Sequence, residues 1–397
     1  MKILILSFYF PPDLSAGSFR VSALVKALGE CKQHDLKLDV VTTMPNRYHN
    51  LSNVAPEVEN HGWLNIRRIE LPSHKSGIID QAHSFVAFAL RVNKELRHGE
   101  WDVVFATSSR LMTAVLGAKI ARSLNTPLYL DIRDLFTDTM SDLLFHSPLR
   151  ALVPGFRALE KRTFRQAARI NLVSPGFLSH AEAVAPMHNY RLFTNGIDSE
   201  FLDLDFGRLE PEQSGPPLIV YAGNMGDGQG LHNVLPDAAL SLGSQVSFRL
   251  IGGGGRRQRL EDVLMSAGVK NVELLNPVPR TALYDHYRNA DILFLHLNNH
   301  DAFLKVLPSK IFEYAATGKP ILAGVAGQAA EFLQAEIPGC EVFRPCDSAG
   351  MVESIHRLLR QPRKIDRSAF CAKYSRKTIM QRMAEDILEL ASKNGRR

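Results

Sequence analysis

Short apolar runs of β character alternate with segments of helical periodicity along this 397-residue chain, and the alternation runs through twice. The first series holds "KILILSFYF", "LDVVTT", "WDVVFATSS", "PLYLDIRD", "RINLVSP" and "YRLFTNGID"; the second holds "PLIVYAGNM", "SFRLIGGGG", "VELLNPV", "ADILFLHL" and "KPILAGVA". Patterns such as "SFRVSALVKALGE" and "LMTAVLGAKIARSLN" separate them. A strand that is apolar along its length is buried on both faces, and return through a helix after each strand lays the strands parallel. The expected class is α/β, with two parallel-sheet domains in one chain. Periodicity lapses at 199–217, "SEFLDLDFGRLEPEQSGPP", which is polar, bears Pro and Gly, and reads as a linker. The boundaries expected are 1–198 for the first domain, 218–375 for the second, and an amphipathic terminal helix over 376–397. Open parallel sheets bind ligands at the carboxyl ends of their strands, so a cleft between the domains is the expected site.

Composition narrows the class. Hydrophobic residues make up 45% and charged residues 22%, the balance of an ordinary globular protein. No apolar run approaches the roughly 20 residues that a membrane-spanning helix needs. "MKILILSFYF" is short and no small-residue cleavage site follows, so it reads as a buried strand rather than a signal peptide. Cys31, Cys340, Cys346 and Cys371 form no C-x-x-C pair, which suggests reduced thiols rather than a disulfide frame or a zinc site.

The net charge of +6 is unevenly placed. Residues 150–169, "RALVPGFRALEKRTFRQAAR", carry six basic residues and one acidic residue. On a helical wheel Leu149, Leu152, Val153, Phe156, Leu159 and Phe164 fall on one side and Arg150, Arg157, Lys161, Arg162, Arg165 and Arg169 on the other, with Pro154 kinking or restarting the helix. A basic amphipathic helix over 149–169 suits an anionic membrane surface; a core-packed helix with a solvated basic face is the plainer alternative. The charges lack interleaved aromatic residues, which argues against nucleic acid.

Several loops could carry chemistry. In "YFPPDLSAGSFR" (9–20), Gly17 stands at a helix start where backbone N–H groups can hold an anion, or Ser18 is simply a cap in a plain turn. "LDIRDLFTD" (130–138) ends a buried strand with Asp131, Arg133 and Asp134, which belong to a site or to a structural ion pair. "YAGNMGDGQGL" (221–231) occupies a phosphate-loop position and offers Asn224 and Gln229, uncharged but able to hydrogen-bond. "LIGGGGRRQRLE" (250–261) does not make G-x-G-x-x-G, because Arg257 stands at the third place; a glycine loop lining the cleft fits better than a dinucleotide site.

"VLPSKIFEYAATGKPIL" (306–322) is the most pointed of these segments. Pro308 restrains the approach to a helix that begins near Ser309 and Lys310, where the dipole and an ammonium favour phosphate. Glu313 lies one turn on, placed to accept hydrogen bonds from vicinal hydroxyls such as those of a ribose. Capping by Ser309, with an acidic residue in the first turns, is the alternative.

Together these segments, with "SPGFL" (174–178), "TNGID" (194–198) and "YRNADILFLHL" (287–297), resemble the retaining family 4 glycosyltransferases of the GT-B fold, in a bacterial surface-polysaccharide branch similar to N-acetylfucosamine transferases. The resemblance implies two Rossmann-like domains facing a central cleft, with the C-terminal helix crossing back to the first. It implies sugar transfer from a nucleotide donor, UDP-linked and N-acetylated, with retention, no metal and no cofactor. Glu313 then matches the ribose-binding carboxylate, Ser309, Lys310 and the Gly17 backbone lie near the diphosphate with Asn224, Gln229, Gly253 and Pro308 in the donor site, and Val278 lies in the loop near the base. The family often has two glutamates eight positions apart; Lys305 stands at the first, so Lys305 or Asp301 is left to contact the donor sugar. The usual cleft histidine is absent from "LDIRDLF", leaving Asp134, beside Arg133, as the candidate acid/base or acceptor-orienting group. The implied acceptor is a glycan or a polyprenyl-diphosphate-linked sugar, and the implied place is the cytoplasm, peripheral on the inner face of the plasma membrane. A UDP-sugar 2-epimerase and a non-catalytic sugar-nucleotide-binding protein are the rival readings.

Overall fold

The computed structural model describes all residues except 14, 32–34, 46–54, 72–77, 97–98, 109–110, 136, 139, 141–147, 208–214 and 395–397, and for 78–84, 148–149 and 394 only the backbone. The chain divides into two compact units, Met1–Asn195 with Arg376–Arg397, and Gly196–Ser375.

The first unit is built on β1 (Lys2–Leu6), β2 (Lys37–Thr43), β3 (Val58–Asn60), β4 (Leu64–Ile69), β5 (Val103–Thr107), β6 (Leu128–Ile132), β7 (Arg169–Leu172) and β8 (Tyr190–Arg191). They form one sheet in the order β3-β4-β2-β1-β5-β6-β7-β8, parallel except for the β3–β4 pair. β1, β5, β6 and β7 are buried almost end to end, as their apolar runs require. Two features were not anticipated. The β3–β4 hairpin comes from a charged, alternating stretch whose outer strand is largely exposed, and "YRLFTNGID" supplies only the two residues of β8. The helix Arg376–Asn394 returns to this unit: Met380, Met383 and Ile387 share a core with Val21, Leu24 and Leu28 of the helix Ala16–Glu30. Asp386 secures it, accepting from Tyr129 Oη at 2.9 Å, Arg169 Nη1 at 2.6 Å and Arg191 Nε at 2.9 Å.

The second unit carries β9 (Leu218–Ala222), β10 (Ser247–Ile251), β11 (Val272–Leu275), β12 (Ile292–His296), β13 (Ile321–Gly324) and β14 (Cys340–Phe343), all parallel in the order β11-β10-β9-β12-β13-β14. Part of the expected linker belongs to its core. Ser199–Asp203 is helical, and Phe201 and Phe206 are buried against Tyr284 and Tyr287, because two aromatics in a polar stretch find a hydrophobic seat. In each sheet the strand order reverses once beside the first strand, between β1 and β5 and between β9 and β12. Crossovers leave to opposite sides there, which opens room at the carboxyl ends of those strands.

Candidate functional site

In the first unit the charges at the end of β6 separate into two roles. Asp131 is fully buried and is held by Arg20, with Nε to Oδ2 at 2.9 Å and Nη2 to Oδ1 at 3.0 Å. Asn171 Nδ2 donates to the same carboxylate at 2.8 Å, and the Arg20 guanidinium also donates to the carbonyls of Phe193 and Thr194. Asp131 therefore pairs with a residue 111 positions away in sequence. Sequence reasoning missed Arg20, whose signal was a basic residue inside the apolar face of the first helix.

Arg133 points elsewhere. A side chain at Gly17 would meet Arg133 Nη1 at 2.3 Å, so the guanidinium fills the space that the glycine leaves open. Its Nε is buried with no hydrogen-bond partner among the described residues. Burial lowers Arg133 to about 10, against the opposing pull of Asp134 and Asp131. Asp134 keeps an exposed side chain, although the bulk of surrounding protein raises its carboxyl to about 6. Ser15 caps the helix by accepting from Ser18 N–H, so the cap is not the Ser18 side chain.

The basic helix corrects the wheel. It runs from Val153 to Gln166 with Pro154 in its first turn, and it buries Val153, Glu160, Thr163 and Phe164. Leu152 and Leu159 are exposed, at 54% and 37%, beside exposed Arg150, Arg157, Lys161, Arg162 and Arg165. Arg169, expected on the basic face, lies buried in β7. Glu160, the one acidic residue of this run, sets the rotation: Thr137 Oγ1 donates to its Oε2 at 2.6 Å, and His180 Nε2 lies 3.0 Å away.

In the second unit the loops after β9 and β10 touch backbone to backbone. Met225 N–H donates to Gly253 O at 2.7 Å, and Arg256 N–H to Met225 O at 3.0 Å. Gly252, at φ +149°, would put a Cβ 1.9 Å from Gly223 O, and Gly254, at φ +151°, one 2.6 Å from Met225 C. These two glycines let the loops pack closely. Asn224 and Gln229 are brought together, with Nδ2 to Oε1 at 2.7 Å. Val278 packs, half-buried, against the core, and Lys305 closes the 3-10 turn Asp301–Lys305.

The helix Lys310–Ala316 has seven residues. Ser309 precedes it at φ −61°, ψ −27° and makes no side-chain cap, so the capping alternative does not hold. Pro308 O accepts from Ile311 N–H and tightens the entry. Lys310 Nζ donates to Glu313 Oε2 at 2.7 Å and to Tyr287 Oη at 3.2 Å. Burial would lower the Lys310 ammonium, but the Glu313 carboxylate prevails and raises it. Glu313 is only 8% exposed, and Arg280, which is paired with Asp198, adds a second positive charge near it. Among the described residues no helix is long and apolar enough to cross a membrane.

Residues 208–378 match the family model described as glycosyl transferases group 1. WcaI of Escherichia coli (strain K12), provisionally named a colanic acid biosynthesis glycosyl transferase, is 32% identical over 101 residues, a stretch spanning a quarter of this chain and a quarter of that protein. Among solved structures, Anabaena HepE in complex with UDP-glucose superposes with a TM-score of 0.70 at 16% identity, over 98% of this chain and 100% of that one. A Listeria monocytogenes protein provisionally named a UDP-N-acetylglucosamine 2-epimerase superposes with a TM-score of 0.59 at 12% identity, over 97% and 95%. The chain therefore has the GT-B fold, and its residues 208–378 match the group 1 glycosyl transferases.

Proposed function

We propose that this chain is a retaining, metal-independent glycosyltransferase that moves a sugar, an N-acetylated hexosamine, from a UDP-sugar to a glycan or polyprenyl-diphosphate-linked acceptor in surface-polysaccharide synthesis. The observation that carries the reading is the Lys310–Glu313 pair, a nearly buried carboxylate and a partly exposed ammonium within the matched family region. A diphosphate draws the ammonium to itself, and Glu313 is then free to accept from the ribose hydroxyls. As the anomeric C–O bond to phosphate breaks, UDP departs with the bonding electrons and the acceptor hydroxyl adds on the same face. Its proton passes to the departing phosphate oxygen. Fixed positive groups aimed at that oxygen lower the barrier, and in this reading Lys310 takes that role in the second unit, while Arg133 and the backbone at Gly17 offer an anion-binding position in the first. Asp134 orients the acceptor, and Lys305 contacts the donor sugar. Support against the epimerase comes from Asp131, which is committed to Arg20 and Asn171 and so cannot form a catalytic pair with Asp134.

Titration with UDP tests the assignment. Glu313→Ala should weaken binding by about 1–3 kcal/mol, the scale of charge-assisted hydrogen bonds; unchanged affinity would remove Glu313 from the ribose. A panel of UDP-sugars separates the rivals: transfer or hydrolysis supports this reading, sugar interconversion the epimerase, and binding without turnover a binding protein.

The acceptor reading includes a peripheral membrane site on the cytoplasmic side. Exposed Leu152 and Leu159 lie among the exposed cations of 150–165, an outward face that is both apolar and basic. Each such cation contributes about 1 kcal/mol at an anionic bilayer. Reversing Arg157, Lys161 and Arg165 to Glu should release the protein from phosphatidylserine vesicles; full retention would overturn the site.

A further inference from the structure

The second unit contains a buried histidine that the proposed chemistry does not use. His296 ends β12, is 2% exposed, and spends both ring nitrogens on backbone. Nδ1 lies 2.5 Å from Gln229 O, and Nε2 lies 3.0 Å from the amide nitrogen of Cys346. A carbonyl can only accept and an amide N–H can only donate. The ring is therefore neutral, with its proton on Nδ1. Burial agrees, holding His296 down at about 4.

Two residues on, Asn298 continues the pattern. Its N–H donates to Gly228 O at 2.9 Å, and its Nδ2 donates to Asp227 O at 2.9 Å. Three consecutive carbonyls, 227, 228 and 229, are thus all held by the end of β12. The far side of the bracket is Cys346, whose Sγ reaches Asn298 Oδ1 at 3.1 Å and whose backbone sits at φ +63°, a strained value for a residue with a side chain. Glycine again admits the contact: a side chain at Gly324 would meet His296 Cδ2 at 2.1 Å, and one at Gly230 would meet Asn298 at 2.7 Å.

The consequence falls on Gln229. Its carbonyl is fixed by His296, and its Oε1 is fixed by Asn224 Nδ2 at 2.7 Å and by Gly226 N–H at 3.3 Å. What remains to be used is donors, namely the amide nitrogen of Gln229 and the second N–H of Asn224. With the Gln229 acceptors and the carbonyls of 227–229 tied down, and the Asp227 carboxylate paired with Arg256 Nε at 2.9 Å, the loop presents these amide donors, which suit an oxygen-rich anion.

We propose that His296 and Asn298 are positioning residues for the loop 224–230, holding the Asn224 and Gln229 donors toward the diphosphate of a nucleoside diphosphate. This deepens the reading of the donor site above and rests on it. Hydrogen exchange resolved by segment, together with titration of UDP, tests it in the full chain. His296→Phe keeps a ring but loses both bonds, and should raise exchange at 226–230 and 346 while β9 and β10 keep their protection. UDP affinity should fall about tenfold or more, the scale of one or two buried hydrogen bonds. His296→Gln, which can donate and accept, should restore both toward wild type. Asn298→Asp, which cannot donate from its side chain, should raise exchange at the same amides, and it carries the test if the phenylalanine variant does not fold. Exchange that rises evenly over 196–375, or a locally loosened loop with unchanged UDP affinity, would overturn the proposal. Wild-type protein that does not bind UDP would instead overturn the donor-site reading, and the exchange pattern would still decide whether the bracket exists.

Discussion

The two units hold the loops at the ends of their strands with different materials. In the first, full charges do it: Arg20 and Asp131 form a buried two-pronged pair that ties the first helix to β6, with Asn171 and two carbonyls completing it. In the second, neutral groups do it: glycines that let loops touch, carbonyls, and an uncharged imidazole. An ion pair fails when one partner is lost, because the other is stranded without water. A neutral bracket fails when it gains a proton or an unwanted methyl group.

The contrast can be broken from either side. Asp131→Asn should cost the first unit about 3–5 kcal/mol, the penalty of stranding a buried charge. Both tryptophans, Trp63 and Trp101, lie in that unit, so urea unfolding followed by tryptophan fluorescence reads it selectively. An unchanged midpoint would show that Arg20 finds its charge balance elsewhere.

The second unit should respond to pH through His296. Its folded pKa, about 4, lies below the ordinary 6.5, so its contribution is complete above 6.5 and is lost as pH falls toward 4. The loss amounts to about 3 kcal/mol across that window. Urea unfolding followed by far-UV circular dichroism, which includes the tryptophan-free unit, should show it between pH 7 and 4.5. His296→Gln should flatten that dependence; an identical slope in the variant would assign the effect to another group.

Glycine substitutions sharpen the comparison further. Gly252→Ala meets a backbone oxygen and a positive φ, and should cost about 1–3 kcal/mol, whereas Gly255→Ala faces open space and should stay within about 0.5 kcal/mol. Gly17→Ala in the first unit meets only the far end of Arg133 and should cost less than about 1 kcal/mol. Its effect should appear instead as weaker binding of anions, read by titration with UDP. Equal destabilisation by Gly252→Ala and Gly255→Ala would remove the loop-packing account.

Much of this was legible in sequence where one physical rule dominated. Strands such as "VVFAT" and "ILFLH" announce themselves because burial on both faces leaves no polar position. The paired Asn224 and Gln229, and Lys310 with Glu313, were found because helical or turn spacing brings near neighbours together. Long-range pairing was not legible. Nothing in "LDIRDLF" says that Asp131 turns to Arg20 while Arg133 turns to Gly17, since side chains alternate along a strand but their partners come from other elements. The wheel of the basic helix failed for a similar reason. It grouped Leu152 and Leu159 with Val153 and Phe164 on one side, away from the cations, whereas both are exposed beside the cations and the hydrogen bonds of Glu160 to Thr137 and His180 fix the buried face. Nothing in "ADILFLHL" singles out His296, and only the structure shows both its nitrogens occupied.

The return of Arg376–Asn394 to the first unit has a consequence for how the chain is made. Most of that unit leaves the ribosome early, yet Met380, Met383, Ile387 and the Asp386 carboxylate that Tyr129, Arg169 and Arg191 await come out only after the second unit. Domains released early ordinarily complete themselves before their successors emerge. Here the first-made half stays open along one helix while the whole second unit is synthesised.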